Sequence, residues 1–399
     1  MKVKPAKRTE TVQEYYFSGK LRQIDQMRKA GADIINLGIG SPDQPPSENT
    51  VSKLTEEASK PSSHGYQSYT GIPALRKAFA DWYKKYFNVV LDPETEILPL
   101  MGSKEGIMHI TMAFVNPGDE VLVPNPGYPT YSSVTKLVGG VVRYYDLDET
   151  TGWIPDIQRL EKTSLRKVRL MWINYAHMPT GTRGSLKLFE DLVKFALKHN
   201  ILLVNDNPYS FILNSEYHSL LEADGAKEIA LELNSLSKSH NMAGWRIGMA
   251  AGHGEYITTI LKVKSNMDSG MFRAIQAAAV EALSNPPLWY ENVNSVYERR
   301  RKIVEELMDI LGCRFDKSQT GLFVWGRIPD HISDCGSFVD EILHKAHVFI
   351  TPGFIFGSRG ERYIRISLCA DEKTLTESKV RILNFTASNF IGAKTTSNK

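Results

Sequence analysis

Cysteine is scarce in this chain of 399 residues, which contains three: Cys313, Cys335 and Cys369. Their spacing matches no metal-binding motif, and an odd, sparse set of thiols gives no disulfide framework. Free thiols of this kind suit a reducing compartment, where burial is their usual environment. We therefore expect three unpaired, buried cysteines.

Long apolar runs and charge of one sign are missing as well. No stretch approaches the ~20 apolar residues that a membrane-spanning helix needs. Residues 1–10 are basic but lack the apolar core that is typical of a signal peptide. The formal net charge is only +3, and the basic residues are spread along the chain. The sequence thus gives no indication of nucleic-acid or membrane partners and favours a cytoplasmic enzyme.

Size and composition are those of an ordinary globular protein. The residues are 42% hydrophobic and 23% charged, as in most folded domains. A chain of this length buries a large core and is expected to form two domains. In the part after residue 285, the charged run 299–302 lies on a long predicted helix and is expected to face solvent, and the polar tail 387–399 is expected to fray.

Strands and helices alternate through the middle of the chain. Apolar runs predict strands at 96–101, 120–123, 140–146, 168–174, 201–206, 229–233 and 249–252, with helical patterns between most of them. This alternation predicts an α/β fold with a mostly parallel, doubly wound sheet.

Polar or aromatic residues follow the carboxyl ends of five of these predicted strands. They are Ser103, Tyr128, Asn174, Asp206 and Lys238. Doubly wound sheets bind ligands at this edge, and packing alone does not explain five such groups. Their convergence predicts a ligand site.

The stretch 235–248, SLSKSHNMAGWRIG, contains the most distinctive of these residues. Lys238 follows an apolar strand, so partial desolvation is expected to lower its pKa and favour the neutral, nucleophilic amine. Such a lysine can form a Schiff base with a carbonyl cofactor such as pyridoxal phosphate. Ser235, Ser237 and Arg246 offer hydroxyl donors and a fixed cation for the cofactor's phosphate. Taken alone, the stretch also fits a loop lysine beside a surface hairpin.

Two other strand ends carry groups that suit the same cofactor. Gly102, Ser103 and Lys104 open a helix whose free N–H groups and dipole attract phosphate, although the pattern is also common helix capping. Asp206 ends an apolar run, so its carboxylate needs a buried partner, for which a pyridinium nitrogen is suitable. Tyr209 would donate a hydrogen bond to the cofactor's phenolic oxygen. A helix cap for Asp206 and core packing for Tyr209 are the alternatives.

The order of Ser, Lys, Gly-Trp-Arg and Gly in 235–248 resembles the Schiff-base lysine motif of class I/II aminotransferases, the fold-type I pyridoxal-phosphate enzymes. With GSKEG at 102–106, the resemblance is closest to the subgroup of aspartate, LL-diaminopimelate and broad-range amino acid aminotransferases. It implies a large cofactor-binding domain at 46–285 and a smaller α+β domain built from 1–45 and 286–399. It also implies a homodimer with active sites at the interface.

The resemblance gives each matching residue a role. It implies catalysis by Lys238, Asp206 and Tyr209; cofactor contacts from Gly102, Ser103, Lys104, Tyr128, Asn174, Met178, Ser235, Ser237 and Arg246; a phosphate contact across the dimer interface from Tyr66; and substrate contacts from Gly40 and Arg365. Tyr128 would stack on the cofactor ring, and Arg365 would hold the substrate α-carboxylate through a bidentate fork. Tyr69 is an alternative to Tyr66, and Arg359 and Arg362 are alternatives to Arg365. Gly40 also fits a simple turn.

Met178 departs from the family pattern. The stretch 174–181, NYAHMPTG, resembles the family's Asn-Pro-Thr-Gly loop, but Met178 stands where the family has an asparagine that donates to the phenolic oxygen. A thioether cannot donate a hydrogen bond, and losing one charge-assisted donor costs about 1.5–3 kcal/mol. We expect an altered Schiff-base pKa and weaker retention of the cofactor.

The sequence therefore predicts a pyridoxal-phosphate-dependent aminotransferase that moves an amino group from an L-amino acid to a 2-oxo acid. One alternative is different chemistry on the same cofactor, as in a C–S lyase or a synthase. The other is a non-catalytic regulatory protein that binds the cofactor, which only Met178 favours. Lys238, Asp206 and Arg365 together argue against it, because binding a cofactor requires no carboxylate fork.

Overall fold

The computed structural model describes residues 3–12 and 14–395. The strands, in chain order, are β1 (Ile35–Asn36), β2 (Ile97–Leu100), β3 (Glu120–Asn125), β4 (Val141–Asp146), β5 (Val168–Ile173), β6 (Leu202–Asp206), β7 (Ala230–Ser235), β8 (Gly248–Gly252), β9 (Arg314–Phe315), β10 (Phe323–Arg327), β11 (Val348–Phe349), β12 (Thr351–Pro352) and β13 (Tyr363–Ser367). The α-helices are α1 (Tyr16–Lys29), α2 (Glu48–Ala58), α3 (Pro73–Phe87), α4 (Ser103–Phe114), α5 (Pro129–Leu137), α6 (Ile157–Glu161), α7 (Leu186–His199), α8 (Ala226–Ile229), α9 (Leu236–Ser239), α10 (Gly254–Lys264), α11 (Arg273–Leu283), α12 (Pro287–Ile310), α13 (Cys335–Ala346) and α14 (Glu372–Thr395).

A seven-stranded sheet forms the centre of the larger part, in the order β2-β8-β7-β6-β5-β3-β4. Pairing is parallel from β7 through β6, β5 and β3 to β4, and β8 alone runs against its two neighbours. The carboxyl ends of the parallel strands therefore meet at one edge. The predicted α/β fold with a mostly parallel sheet is confirmed.

Both faces of this sheet are covered, which explains why its strands read as continuous apolar runs. Successive residues of a strand point to opposite faces. On β5, Leu170 and Trp172 pack in a core with helices α4, α5 and α10, whereas Met171 and Ile173 pack in a second core with α3, α7 and α11. Helices on both faces make the sheet doubly wound, as predicted.

The rest of the chain forms a smaller lobe around an antiparallel sheet, β12-β13-β10-β9. In addition, β1 pairs in parallel with β11, with Ile35 opposite Val348. The beginning and the end of the chain thus share one hydrophobic core, in which Leu37 packs with residues of α12, α13 and α14. This arrangement is compatible with domains at 46–285 and at 1–45 with 286–399, and those boundaries stay a prediction.

Two expectations about the surface were wrong. Arg300, within the run expected to face solvent, is only 4% exposed, and its guanidinium makes two hydrogen bonds of 2.6 and 2.7 Å to the carboxylate of Asp43. The helix periodicity turns Arg300 inward beside Tyr297, where an acid on a distant loop pairs with it. The tail expected to fray from residue 387 instead continues α14 to Thr395, and 396–399 lie outside the described residues. No helix in the described part of the chain combines the length and apolarity needed to cross a membrane.

Candidate active site

A cavity of about 550 Å³ opens at the carboxyl edge of the large sheet, bordered by residues of both lobes. Its walls include the five residues that follow predicted strands, namely Ser103, Tyr128, Asn174, Asp206 and Lys238, and also Gly40, Lys104, Met178, Tyr209, Ser235, Ser237, Arg246 and Arg365. Thirteen of the fifteen residues assigned from the sequence are thus brought together. Gly102 and Tyr66 are the two that do not line it.

Lys238 lies on the short helix α9, directly after β7. The side chain of Ser235 caps this helix by accepting a hydrogen bond of 3.2 Å from the backbone of Ser237. Nζ of Lys238 donates a hydrogen bond of 2.5 Å to the carbonyl of Gly40. Burial lowers the pKa of Lys238, and the positive charges of Arg365 and Arg246 lower it further. The amine is therefore easier to deprotonate than an exposed lysine.

Asp206 is a buried carboxylate with one oxygen left free. The Tyr131 hydroxyl donates to Oδ2 at 3.0 Å, whereas Oδ1 has no hydrogen-bond partner among the described residues. Burial raises the pKa of Asp206 to about 6, against the opposing effect of the Tyr131 hydrogen bond. Tyr131 itself stacks on Trp172, with ring centroids 5.0 Å apart. A buried carboxylate with a free oxygen requires a further donor, and a protonated ring nitrogen meets that need.

The backbone around Gly102 forms the cradle expected for a phosphate. Gly102 has φ of +84°, and a Cβ there would lie 2.2 Å from Nη2 of Arg246. Glycine at this position therefore lets the Arg246 guanidinium approach the first turn of α4, where Ser103 and Lys104 lie. Burial lowers the pKa of Lys104, and Arg246 lowers it further. Two neighbouring cations and a helix N-terminus make this end of the cavity suitable for an anion.

Asn174 and Met178 belong to the loop that follows β5, and Asn174 links this loop to the end of β6. The side-chain amide of Asn174 donates to the backbone carbonyl of Asp206, and its Oδ1 accepts a hydrogen bond of 2.8 Å from the backbone of Met178. Met178 is 7% exposed, and its sulfur accepts a contact of 3.2 Å from Nη1 of Arg365. Asn174 therefore holds the loop, and Met178 presents a thioether at the position where the family carries an amide.

Arg365 is a buried cation with no acid beside it in the described part of the chain. Nη2 donates 2.9 Å to the carbonyl of Gly38, and Nε has no partner. The guanidinium carbon lies 3.7 Å from the ring centroid of Phe323 and 4.7 Å from that of Phe356. Burial lowers the pKa of Arg365 to about 10. A buried guanidinium with a free N–H is ready to receive a carboxylate.

The two alternative arginines are engaged elsewhere. Arg359 pairs with Asp146 at 2.7 Å, and Arg362 donates to the backbone carbonyls of Pro329 and Ile332. Neither borders the cavity. This geometry favours Arg365 as the residue that receives a substrate carboxylate.

Tyr209 and Tyr66 differ sharply in placement. Tyr209 borders the cavity, and burial raises its pKa far above the usual value, so its hydroxyl keeps its proton and can donate. Tyr66 is 94% exposed and lies outside the cavity of its own chain. Its role across a subunit interface stays a prediction.

Sequence reasoning missed part of the cavity wall. Tyr15, Phe17, Ser18 and Leu21 come from the start of α1, and Phe323 and Phe356 come from the smaller lobe. Tyr131 was also missed, although its position three residues after Tyr128 places it one helical turn further on the same face. The aromatic cluster 15–17 was the available signal for the wall residues from the start of α1.

The fold and this site define a class: an α/β transferase of fold type I. The profile of the class I and II aminotransferases matches residues 32–382. The chain belongs to this family, whose members transfer amino groups with pyridoxal phosphate.

Individual members of this family are similar to the chain over nearly its whole length. The chain is 40% identical to the LL-diaminopimelate aminotransferase of Dehalococcoides mccartyi over 96% of its own length and 99% of that protein. It is also 40% identical to the enzyme of the same name from Moorella thermoacetica, over 94% of this chain and 97% of that one. Among solved structures, substrate-bound BacF from Bacillus subtilis matches with a TM-score of 0.92 and 36% identity, over 97% of this chain and 98% of that chain.

Proposed function

We propose that the chain binds pyridoxal phosphate in this cavity and transfers an amino group from an L-amino acid to a 2-oxo acid, with Lys238 as the reacting lysine. The observation that carries the proposal is the placement of Lys238, a lysine of lowered pKa, in one cavity with the free oxygen of Asp206 and the free N–H of Arg365. A lysine, an acid and an arginine of this kind are what the reaction requires.

The residues present fit the cofactor at each of its functional groups. The phosphate would be held by the N-terminus of α4 and by the side chains of Ser103, Ser235, Ser237 and Arg246. Asp206 Oδ1 would accept from the ring nitrogen. Tyr128 would lie against the ring. When bound, pyridoxal phosphate supplies an aldehyde that reacts with amines and a ring that withdraws electrons from the substrate.

The protein residues then carry out binding and proton transfer. Arg365 would bind the substrate carboxylate and so orient the α-carbon toward Lys238. Nζ of Lys238, when neutral, would take the proton from the α-carbon of the amino acid and would give a proton to the carbon that receives the amino group. Asp206, ionised beside a cationic ring nitrogen, would keep that nitrogen protonated. Phe323 and Phe356 around Arg365 would exclude water and strengthen its pairing with the carboxylate.

We also propose that the protein forms a homodimer and is located in the cytoplasm. The side chains of Tyr66 and Phe272 are exposed to solvent, and that of Phe272 is 39% exposed. The ring of His64 stacks on Phe272, with ring centroids 5.8 Å apart. Exposed aromatic surface of this kind supports a partner subunit. The three unpaired cysteines support a reducing compartment. Light scattering of the purified protein tests the dimer, and a monomeric mass would contradict it.

A spectral titration tests the proposed reaction. The visible absorbance of the cofactor-loaded protein is followed while a panel of amino acids is added. We expect some amino acids to bleach the band and 2-oxoglutarate to restore it. Ammonia released during bleaching would instead indicate a lyase, and a band that no amino acid disturbs would indicate a protein without transaminase activity.

A further inference from the structure

We propose that a second cavity, at the junction between the two lobes, binds a small zwitterion with a flat apolar group, such as an aromatic amino acid, and that a ligand there alters the affinity of Arg365 for the substrate. The second part of this inference rests on the proposed function, because it takes Arg365 as the residue that binds the substrate carboxylate. The second cavity shares no lining residue with the one that contains Lys238.

One side of the second cavity is aromatic. The cavity has a volume of about 570 Å³ and is bordered by Trp153, in the loop after β4, and by Phe315, Trp325 and Tyr363 of the smaller lobe. Trp325 stacks on Tyr363 with ring centroids 4.9 Å apart, and the Trp153 ring lies edge-on to Tyr363 at 5.3 Å. Trp325 and Tyr363 are buried, whereas Trp153 and Phe315 are partly exposed. A flat apolar group in the cavity therefore has aromatic surface to pack against.

Charged side chains of both signs border the same cavity. Among the described residues that line it, the cations are Arg183 and Arg314 and the acids are Glu149 and Asp316, and all four are exposed. Arg183 also lies near enough to Arg301 for the two positive charges to repel each other. An ion of one sign would meet like charges here, whereas a zwitterion can pair its carboxylate with an arginine and its ammonium with an acid. The charges therefore favour an amino acid over a simple anion or amine.

The aromatic side of this cavity continues to the proposed carboxylate anchor. Tyr363 and Arg365 are two residues apart on β13, so both side chains lie on the same face of the sheet. Trp325 is paired directly with Arg365 on the neighbouring strand β10. The ring centroid of Trp325 lies 5.9 Å from that of Phe356, which in turn lies 4.7 Å from the guanidinium carbon of Arg365. Packed side chains thus join the second cavity to Arg365.

A loop of the larger lobe also borders both cavities. In the segment that follows β5, Asn174 and Met178 line the first cavity, and 180–183 line the second. The carbonyl of Gly181 accepts hydrogen bonds of 2.8 and 3.0 Å from the backbone and the hydroxyl of Thr320. These hydrogen bonds fix the loop to the smaller lobe.

A ligand in the second cavity would contact both lobes. Such a ligand binds most tightly at one separation of the lobes and so favours that separation. Arg365 belongs to the smaller lobe and Lys238 to the larger, so the same separation affects how well a substrate fits between them. Binding in the second cavity is therefore expected to change the affinity for substrate.

Binding of L-phenylalanine tests the site. The cofactor-loaded protein is first reduced with borohydride, so that bound amino acids cannot react, and equilibrium dialysis then measures binding. We expect a bound molecule whose affinity falls about tenfold in Arg314→Met, because its carboxylate loses a charged partner. Arg166→Met removes an exposed arginine outside both cavities and should leave that affinity unchanged. No binding, or binding that Arg314→Met leaves unaltered, would overturn the inference.

Ligands with a single charge test the requirement for a zwitterion. 3-Phenylpropionate lacks the ammonium group and 2-phenylethylamine lacks the carboxylate, but both keep the aromatic ring. We expect each to bind the second cavity at least about tenfold more weakly than L-phenylalanine. An equal affinity of either compound would contradict a site for a zwitterion.

The effect on Arg365 is measured in the spectral titration. The apparent Kd of an amino acid that bleaches the band is determined with and without L-phenylalanine in the parent, Arg314→Met and Arg166→Met. Competition in the first cavity alters all three proteins alike, whereas binding in the second cavity adds a change of about fivefold or more in the parent and Arg166→Met alone. Equal changes in all three would overturn the effect on Arg365 and leave the proposed function intact. A band that no amino acid bleaches would overturn the proposed function, although dialysis would still detect the second site.

Discussion

Arg365 donates to the sulfur of Met178 at 3.2 Å, so the residue that replaces the family's asparagine also contacts the proposed carboxylate anchor. A thioether is a weak acceptor and cannot donate. Met178 therefore leaves most of the guanidinium's hydrogen-bonding capacity free for a substrate, while it gives nothing to the cofactor's phenolic oxygen. In this chain Tyr209 is left as the proposed donor to that oxygen.

Met178→Asn should tighten cofactor binding. A restored donor is worth about 1.5–3 kcal/mol, or roughly a tenfold to hundredfold lower Kd for pyridoxal phosphate. Equilibrium dialysis of the two proteins measures the change, and a spectrophotometric pH titration reports the pKa of the bound cofactor. Met178→Leu keeps the volume without a donor and should show no tightening. An unchanged Kd and an unchanged pKa in the asparagine variant would contradict the role given to position 178.

Arg365→Ala should weaken the binding of amino acids far more than that of the cofactor. Loss of a buried carboxylate partner costs about 2–5 kcal/mol, and 3 kcal/mol corresponds to about 100-fold in Kd. Arg365→Lys keeps the charge but lacks the fork, so an intermediate affinity is expected. The spectral titration gives both constants. An amino-acid affinity unaltered in Arg365→Ala would transfer the role to another residue.

Asp206 should make the ligand-free protein less stable as pH rises. Its pKa is raised to about 6 by burial, above the value of about 3.9 in an unfolded chain. The folded state therefore binds the proton more tightly, and the resulting stabilisation, present at low pH, is lost as pH rises through 6. Relative to Asp206→Asn, the free energy of unfolding of the parent should fall by about 2 kcal/mol between pH 4 and 7. Urea unfolding at several pH values measures this difference. Parallel curves for the two proteins would show that Asp206 titrates normally.

Glu232 is expected to be essential for the stability of the sheet beneath the site. This fully buried carboxylate on β7 accepts hydrogen bonds of 2.8 Å from the Tyr83 hydroxyl, the Ser219 hydroxyl and the backbone of Leu220, and one of 3.0 Å from Asn205. Glu232→Ala leaves several buried donors unpaired and should lower the free energy of unfolding by about 3 kcal/mol or more.

A surface acid serves as the control for Glu232. Glu298 lies exposed on α12, and Glu298→Ala should change the free energy of unfolding by no more than about 0.5 kcal/mol. Chemical denaturation of the three proteins gives both values. Similar losses in the two variants would show that the hydrogen bonds to Glu232 contribute little.

Much of the fold and of the cavity could be predicted because parallel strands buried on both faces read as apolar runs. The end of each run is visible in the sequence, and topology brings those ends to one edge. The sequence therefore predicts that Asp206 and Lys238 lie close together. The boundaries of individual elements shifted by a few residues, as at β7, which ends at Ser235 and not at residue 233.

The remaining walls could not be predicted because they depend on contacts between distant segments. Phe17 borders the cavity only because α1 packs against the smaller lobe, a docking that no local pattern in the sequence encodes. The burial of Arg300 depends likewise on Asp43, which lies 257 positions earlier. The contact between Met178 and Arg365 joins a loop of the larger lobe to strand β13 of the smaller lobe, and neither residue type predicts the other.

Chemical trapping at Lys238 tests the central claim most directly. The cofactor-loaded protein is reduced with borohydride, digested, and mapped by mass spectrometry, with Lys238→Ala treated in parallel. We predict that the cofactor's mass is fixed to the peptide containing Lys238, and that the variant retains no cofactor at any lysine and has no transaminase activity. Attachment at Lys104 in the parent protein, or full turnover by Lys238→Ala, would contradict it.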